Sequence, residues 1–429
     1  MKNYTNEEVI INIPVTPSGE FTSYLFYDKF LPEISEYRKN YDKLKYKDLI
    51  LNFEKVNKIN PLVIPNMLCI GKGLKKLRHV TTVMDNLSGD AACLVSKTNF
   101  KLMSENEFLF KFRNFDSYNL TDWEKRNDSV FYLEYIDFSD NLKQYCEADF
   151  ETKEYIYHRG TNEILNSINE TSETAREIFY EKKEQIEESR LKDLAESMEN
   201  NVIKPLISHE RDVKMGLLLT YLVESVKNSI MHGLSGCYVL VYSRRFKGVN
   251  KYGIAVSDIG KGIPDSINAK YKRSSSDDTN KFIFKKEKIA VFDKIRGLSK
   301  KEIADLNTDY ATILEALFYR TIRRPLAYRY FDCGLFDVVK SILQSDKNGI
   351  VKIHSHFVQI KFTNNFYKKH FSPFIISEKD KKIDWDRLAE HLRKNVVSED
   401  ERYSNIVATP LFGGTHLEYE FEQNMQEDK

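Results

Sequence analysis

The chain has little cysteine and no cysteine pattern. Cys69, Cys93, Cys146, Cys237 and Cys333 are scattered through 429 residues, odd in number and without a C-x-x-C pair. That fits reduced thiols in a cytosolic protein better than a disulfide or zinc framework. An excess of one charge is lacking as well. Lys+Arg number 65 against 64 Asp+Glu, so no global field draws the chain to nucleic acid or to a membrane, although a local basic patch stays open. The opening residues M-K-N-Y-T-N-E-E lack the apolar core of a signal peptide, and no run of ~18 apolar residues exists anywhere. A soluble, cytoplasmic protein with no membrane partner is expected.

What is present is enough chain for two or three domains with real cores, 41% of it hydrophobic. Val9–Val15 alternates like a strand, and Leu49–Val56 is a second strand candidate. Asn60-Pro61 then signals a helix start, and Leu62–Leu77 has helical periodicity. Ala91–Val95 and Val130–Ile136 read as further strands. Strands alternating with helices imply a small α/β domain over residues 1–150. The run L-I-L-N-F-E-K-V-N-K-I-N-P-L-V-I-P-N-M-L resembles the strand–turn–helix of STAS-type domains over some thirty residues. That resemblance implies a module for a protein partner. Gly71-Lys72-Gly73 follows a helix, not a strand, and reads as a helix C-cap and turn in place of a phosphate loop.

Residues 151–212 form a charged helical linker. Within it Thr161–Asn200 carries Glu–Lys and Glu–Arg pairs on a solvated face and is suited to a homodimer contact. Ser208-His209-Glu210 matches the phospho-acceptor box of sensor histidine kinases. Yet only nineteen residues separate His209 from Asn228, too few for a dimerisation hairpin, so His209 reads as an ordinary helix residue.

Tyr221–Gly233 (Y-L-V-E-S-V-K-N-S-I-M-H-G) reads as a helix with Glu224, Asn228 and His232 stacked along one side of an otherwise apolar surface. Polar groups there need partners. One reading is a core helix with a polar seam against a neighbouring domain. In the other, Mg²⁺ and a polyphosphate are the partners: the amide oxygen of Asn228 is a hard ligand, and Glu224 orients or deprotonates a water. Cys237–Ser243 and Tyr252–Asp258 are strands, and the second ends in D-I-G-K-G-I-P, Asp258 to Pro264. A carboxylate at a sheet end accepts a hydrogen bond from an adenine amino group. Gly260 and Gly262 let the backbone approach a flat ring.

E-x-x-x-N-x-x-x-H on a helix followed by D-x-G-x-G-I, ending at Ile263, resembles the first two nucleotide-binding boxes of the GHKL ATPase superfamily. That group includes gyrase, the MutL mismatch-repair protein, heat-shock chaperones and histidine kinases. Two later stretches fit the same order. R-Y-F-D-C-G-L, from Arg329 through Gly334 and Leu335, resembles the third box, and F-G-G-T, with Gly414 and Thr415, resembles the terminal strand. Asp332 stands where that pattern has its first glycine, which weakens phosphate contacts unless Arg329 or one of Arg320, Arg323 and Arg324 compensates.

The resemblance spans about residues 213–425. It implies a Bergerat-type α/β sandwich, one mixed sheet facing helices, with ATP and Mg²⁺ as cofactors. Asp258 would contact adenine, Asn228 would hold Mg²⁺, Glu224 would be the base, and Gly414 and Thr415 would reach towards the phosphates. Residues 265–333 would form an ATP lid. The implied activity is a nucleotide-driven switch coupled to the N-terminal module, suited to bacterial signalling or defence. A kinase of histidine-kinase or anti-sigma type, or a non-hydrolysing ATP sensor, are the alternatives. Gly349–Phe362 reads as a hairpin that puts His354 and His356 on one face. With no third ligand in view, a structural role is expected for them.

Overall fold

The computed structural model describes residues 8–41, 48–77, 80–117, 120–126, 129–136, 196–204, 215–229, 235–246, 249–273, 291–294, 298–318, 335–377, 382–384, 387–388, 390–391 and 406–424. The fold is mixed α/β, with one parallel and one antiparallel principal sheet. The parallel sheet has four strands in sequence order: β1 (Glu8–Asn12), β2 (Asp48–Asn52), β3 (Thr82–Asp85) and β4 (Lys111–Arg113). Each crossover therefore steps in the same direction, and right-handed connections then place the connecting helices on one face. Those helices include α1 (Leu31–Lys39), reached through a short helical run from Ser23, α2 (Val63–Lys75) and α3 (Gly89–Lys97).

The strand ends are tied by a ladder of carboxamides. Asn52 donates to Asn12 (2.9 Å), Asn86 to Asn52 (3.0 Å) and Asn114 to Asn86 (3.1 Å). Asn114 also donates to Asp85, whose other oxygen accepts from Arg113 at 2.7 Å. Asn86 and Asn114 both sit at left-handed φ, 58° and 49°, a conformation asparagine tolerates better than other residues with a Cβ.

The second sheet is built from β5 (Ser129–Ile136), β6 (Cys237–Phe246), β7 (Val249–Asp258), β8 (Ile350–Thr363) and β9 (Ile406–Asn424). Its order is β8-β9-β7-β6-β5 and every neighbouring pair is antiparallel, so it is not the mixed sheet expected. One face is covered by α4 (Met215–Asn228), α5 (Ile263–Arg273), α6 (Lys300–Phe318) and α7 (Leu335–Ser345). The other is covered by α1 and α2, which lie between the two sheets. The layers therefore run sheet, helices, sheet, helices. Because both faces are covered, β7 is buried on both sides from Tyr252 to Asp258.

Several expectations change. Ala91–Val95 lies within helix α3, and the strand before it is β3. A short apolar run such as A-A-C-L-V suits either state, and tertiary packing decides it. Val130–Ile136 is a strand, but its partner is β6, so the first 150 residues contribute an edge to the second sheet. Gly71-Lys72-Gly73 lies inside α2 and not at its cap; a Cβ at Gly71 would overlap Phe110, and the Lys72 ammonium sits 3.2 Å from the Tyr135 ring centroid.

Gly349–Phe362 is not a hairpin but the single long strand β8. It bulges at His356, whose φ is +55°, and the bulge moves even-numbered residues to the opposite face. His354 therefore packs against Tyr27, Phe412 and His416, whereas His356 faces Asp265 and Asp309 on the other side. Within the expected lid, Lys300–Phe318 is a helix whose Leu306, Tyr310, Ile313, Leu314 and Leu317 belong to the core. Residues 161–195 and His209 lie outside the described residues.

The ladder makes a stability prediction. Asn86→Ala should lose about 2 kcal/mol, because it removes two hydrogen bonds and strains a left-handed residue, whereas Asn86→Gly should lose only about half of that. Urea unfolding of both variants measures the difference, and equal losses would show that the left-handed φ costs nothing.

Candidate functional site

Helix α4 and the residue after it turn Ser225 and Ser229 towards β9 and β7. Ser225 Oγ donates to Tyr221 O at 2.7 Å and lies 2.8 Å from the Tyr419 hydroxyl of β9. One turn on, Ser229 faces Asp258. Glu224 is buried, and the Asn228 amide nitrogen lies 3.4 Å from its Oε1. The helix thus carries two polar rows, and the serines at 225 and 229 are a four-residue repeat that reading only Glu224, Asn228 and His232 passes over.

Asp258 ends β7 with a side chain only 1% exposed. Its Oδ1 accepts from Gly260 N at 2.9 Å and Thr415 N at 3.2 Å. Ser229 acts in the same direction, but its hydroxyl donates to Ser225 O at 3.4 Å, and Oδ2 has no hydrogen-bond partner. Burial pushes the carboxyl up to about 7, against the lowering effect of Gly260, Ser229 and Thr415. A buried carboxylate with one saturated oxygen and one orphan is an acceptor in want of a donor.

The glycines around it serve close approach. Gly414 has φ +88° and a Cβ there would overlap the Asp258 carbonyl. A Cβ at Gly262 would run into the His356 imidazole and Ser355 Oγ, so the flat ring this glycine admits belongs to the chain itself. Ile263 opens α5, and its N–H is capped from β8 by Ser355 Oγ at 3.0 Å; Ser355 in turn donates to Gly414 O. His356 lies 3.3 Å from Asp265 and 3.8 Å from Asp309. Burial raises the Asp309 carboxyl to about 6, with the neighbouring His356 opposing.

The structure thus brings Asp258, Gly260, Gly262, Ile263, Gly414 and Thr415 together, with Glu224 and Asn228 paired along α4. Thr415 N donates to the carboxylate expected at adenine. Leu335 starts α7 and packs in the core. His232, Arg329, Asp332 and Gly334 lie outside the described residues. Ser229, Ser355 and Asp309 are additions that no motif announces, and His356, expected to share a face with His354, reaches this side through the bulge. Among the described residues no cluster of three or more His, Cys, Asp or Glu side chains is arranged to hold a metal ion, and no helix is long and apolar enough to cross a membrane.

The raised carboxyl has a measurable consequence. Between its unfolded value near 3.8 and about 7, folded Asp258 holds a proton that the unfolded chain has released, so its contribution to stability falls as pH rises through that window. Asp258→Asn removes this loss. Relative to wild type, the variant should gain about 2–3 kcal/mol between pH 5 and pH 8. Denaturant midpoints at both pH values check it, and a pH-independent difference would exclude a protonated Asp258.

No protein-family model, curated protein or solved structure matches the chain.

Proposed function

We propose that residues 213–425 form a Bergerat-type nucleotide domain that binds ATP with Mg²⁺ and works as a nucleotide-driven switch. The observation that carries this reading is Asp258. Its orphan Oδ2 is buried at a sheet end, beside a glycine-bearing loop and a helix that carries Glu224 and Asn228. An exocyclic amino group such as that of adenine supplies the single donor this oxygen lacks. Oδ1, held by two backbone N–H groups, fixes the direction in which Oδ2 points.

Asn228 offers a carboxamide oxygen to Mg²⁺, which commonly takes one or two protein ligands and completes its shell with phosphate and water. Bound Mg²⁺ would neutralise charge on the β- and γ-phosphates. Glu224, one turn away and shielded from bulk water, orients or deprotonates the attacking water. A lid closing on the phosphates is shorter than residues 265–333, because α6 belongs to the core.

Two outcomes test this. Calorimetric titration at pH 8, above the value near 7 at which Asp258 ionises, with a non-hydrolysable ATP analogue and Mg²⁺ should give binding in the wild type and a loss of at least about tenfold in Asp258→Asn, since a hydrogen bond to a charged group is worth ~1.5–3 kcal/mol. Unchanged affinity would remove Asp258 from the site. Glu224→Ala should hold the analogue as wild type does but lose steady-state phosphate release; full turnover would exclude Glu224 as the base.

A further inference from the structure

We propose that the N-terminal half completes this site, with Asn66 of α2 acting as a positioning residue on Asp258 through Ser257. The inference rests on the reading of Asp258 as the adenine contact. Asn66 is fully buried within a helix whose neighbours Ile64, Met67, Leu68 and Ile70 are all core residues. A carboxamide in that setting is costly unless each of its groups is bonded, and here each is. Its Nδ2 donates to Tyr27 Oη at 3.0 Å and Glu418 Oε1 at 3.2 Å, and its Oδ1 accepts from Ser257 Oγ at 2.6 Å.

The network continues across the sheet. Glu418 of β9, only 2% exposed, also accepts from Ser23 Oγ (2.9 and 2.7 Å) and pairs with Lys352 Nζ of β8 at 2.9 Å. Ser23, Tyr27 and Asn66 come from the N-terminal half; Ser257, Lys352 and Glu418 come from three adjacent strands of the site sheet. All three strands are thereby fixed to α2 and the helical run before α1.

Strand geometry carries this to the site. Ser257 and Asp258 are consecutive on β7 and point to opposite faces. A shift of Ser257 relative to α2 therefore turns the peptide that sets Asp258. The second anchor of Asp258, Thr415 N, lies on β9 three residues before Glu418. Between them His416 stacks on Phe412 at 4.0 Å and sits 5.4 Å from His354, which contacts Tyr27. Both strands holding the carboxylate are thus braced from the N-terminal side. Coupling is reciprocal, so a nucleotide that needs Asp258 in place must also tighten α2 on the sheet.

The test uses the full chain with a non-hydrolysable ATP analogue and Mg²⁺. Affinity is read by calorimetry, and hydrogen exchange of Val63–Lys75 is followed with and without the analogue. The wild type should bind, and exchange of α2 should slow on binding. Ser257→Ala should weaken binding roughly tenfold, because β7 freed from Asn66 keeps Asp258 in the competent position for only about a tenth of the time, and should abolish the slowing. Tyr27→Phe, which spares the Ser257–Asn66 bond, should weaken binding less; it also serves as the second variant if Ser257→Ala does not fold. A wild type that binds without any change in α2 exchange, or a Ser257→Ala chain that binds as wild type does, would overturn the positioning role and leave the nucleotide reading standing. No binding by the wild type would overturn both.

Discussion

Strand β7 is buried on both of its faces, and the rest of the molecule is arranged around that constraint. A strand in the middle of an antiparallel sheet ordinarily turns one side to water. Here α4 lies over one face and α2 over the other, so every polar group on β7 must find a protein partner or remain an orphan. Ser257 finds Asn66 on one side. On the other, Asp258 is only half satisfied. That half-satisfied carboxyl, with one oxygen bonded twice and the other an orphan, is the centre of the candidate site.

The same constraint explains why charged groups lie between the two halves. Burying Glu418 with Lys352 is not in itself a source of stability, because desolvation offsets most of the attraction. Once the pair is buried, however, removing one partner costs about 3–5 kcal/mol. The network therefore contributes less to how firmly the halves dock than to which arrangement they adopt. An apolar contact between α2 and the sheet tolerates sliding. Ser23, Asn66 and Ser257 do not, since any slip leaves a buried donor or acceptor unpaired.

What can be read from the sequence divides along physical lines. Helix α2, strands β6 and β7 and the Asp258 turn follow from local signals: Asn60-Pro61 at a helix start, alternation, and a carboxylate followed by spaced glycines. The core helix over Tyr221–Asn228 follows from its apolar periodicity. The pairing of β5 with β6 does not, because about a hundred residues separate them and no local pattern encodes a partner. Nor does the state of Ala91–Val95, where five apolar residues fit a strand or a buried helix equally. In the candidate site, Asp258 and Gly414 are visible as motif residues, whereas Ser229 and His356 owe their places to tertiary contacts. Asn66 is in view inside L-V-I-P-N-M-L, and a lone asparagine in an apolar helix is itself a signal: such a residue is kept only where something pairs with it.

The bulge at His356 shows how one residue serves both halves of the fold. Before it, Lys352 and His354 face the N-terminal layer while Val351 and Ile353 face the helices. After it, Val358, Ile360 and Phe362 take the helical side. Unbroken alternation over the same strand would turn these three into the wrong layer, so the sequence must change phase somewhere. It does so where Gly262 leaves room for an imidazole and Ser355 caps α5. Strain at a left-handed histidine, about 1–2 kcal/mol, is offset there by the buried apolar residues that the phase change puts in register. The loop carrying Gly260 and Gly262 is thus held by the residue that resolves the sheet's packing conflict, and the candidate site lies where the two periodicities meet.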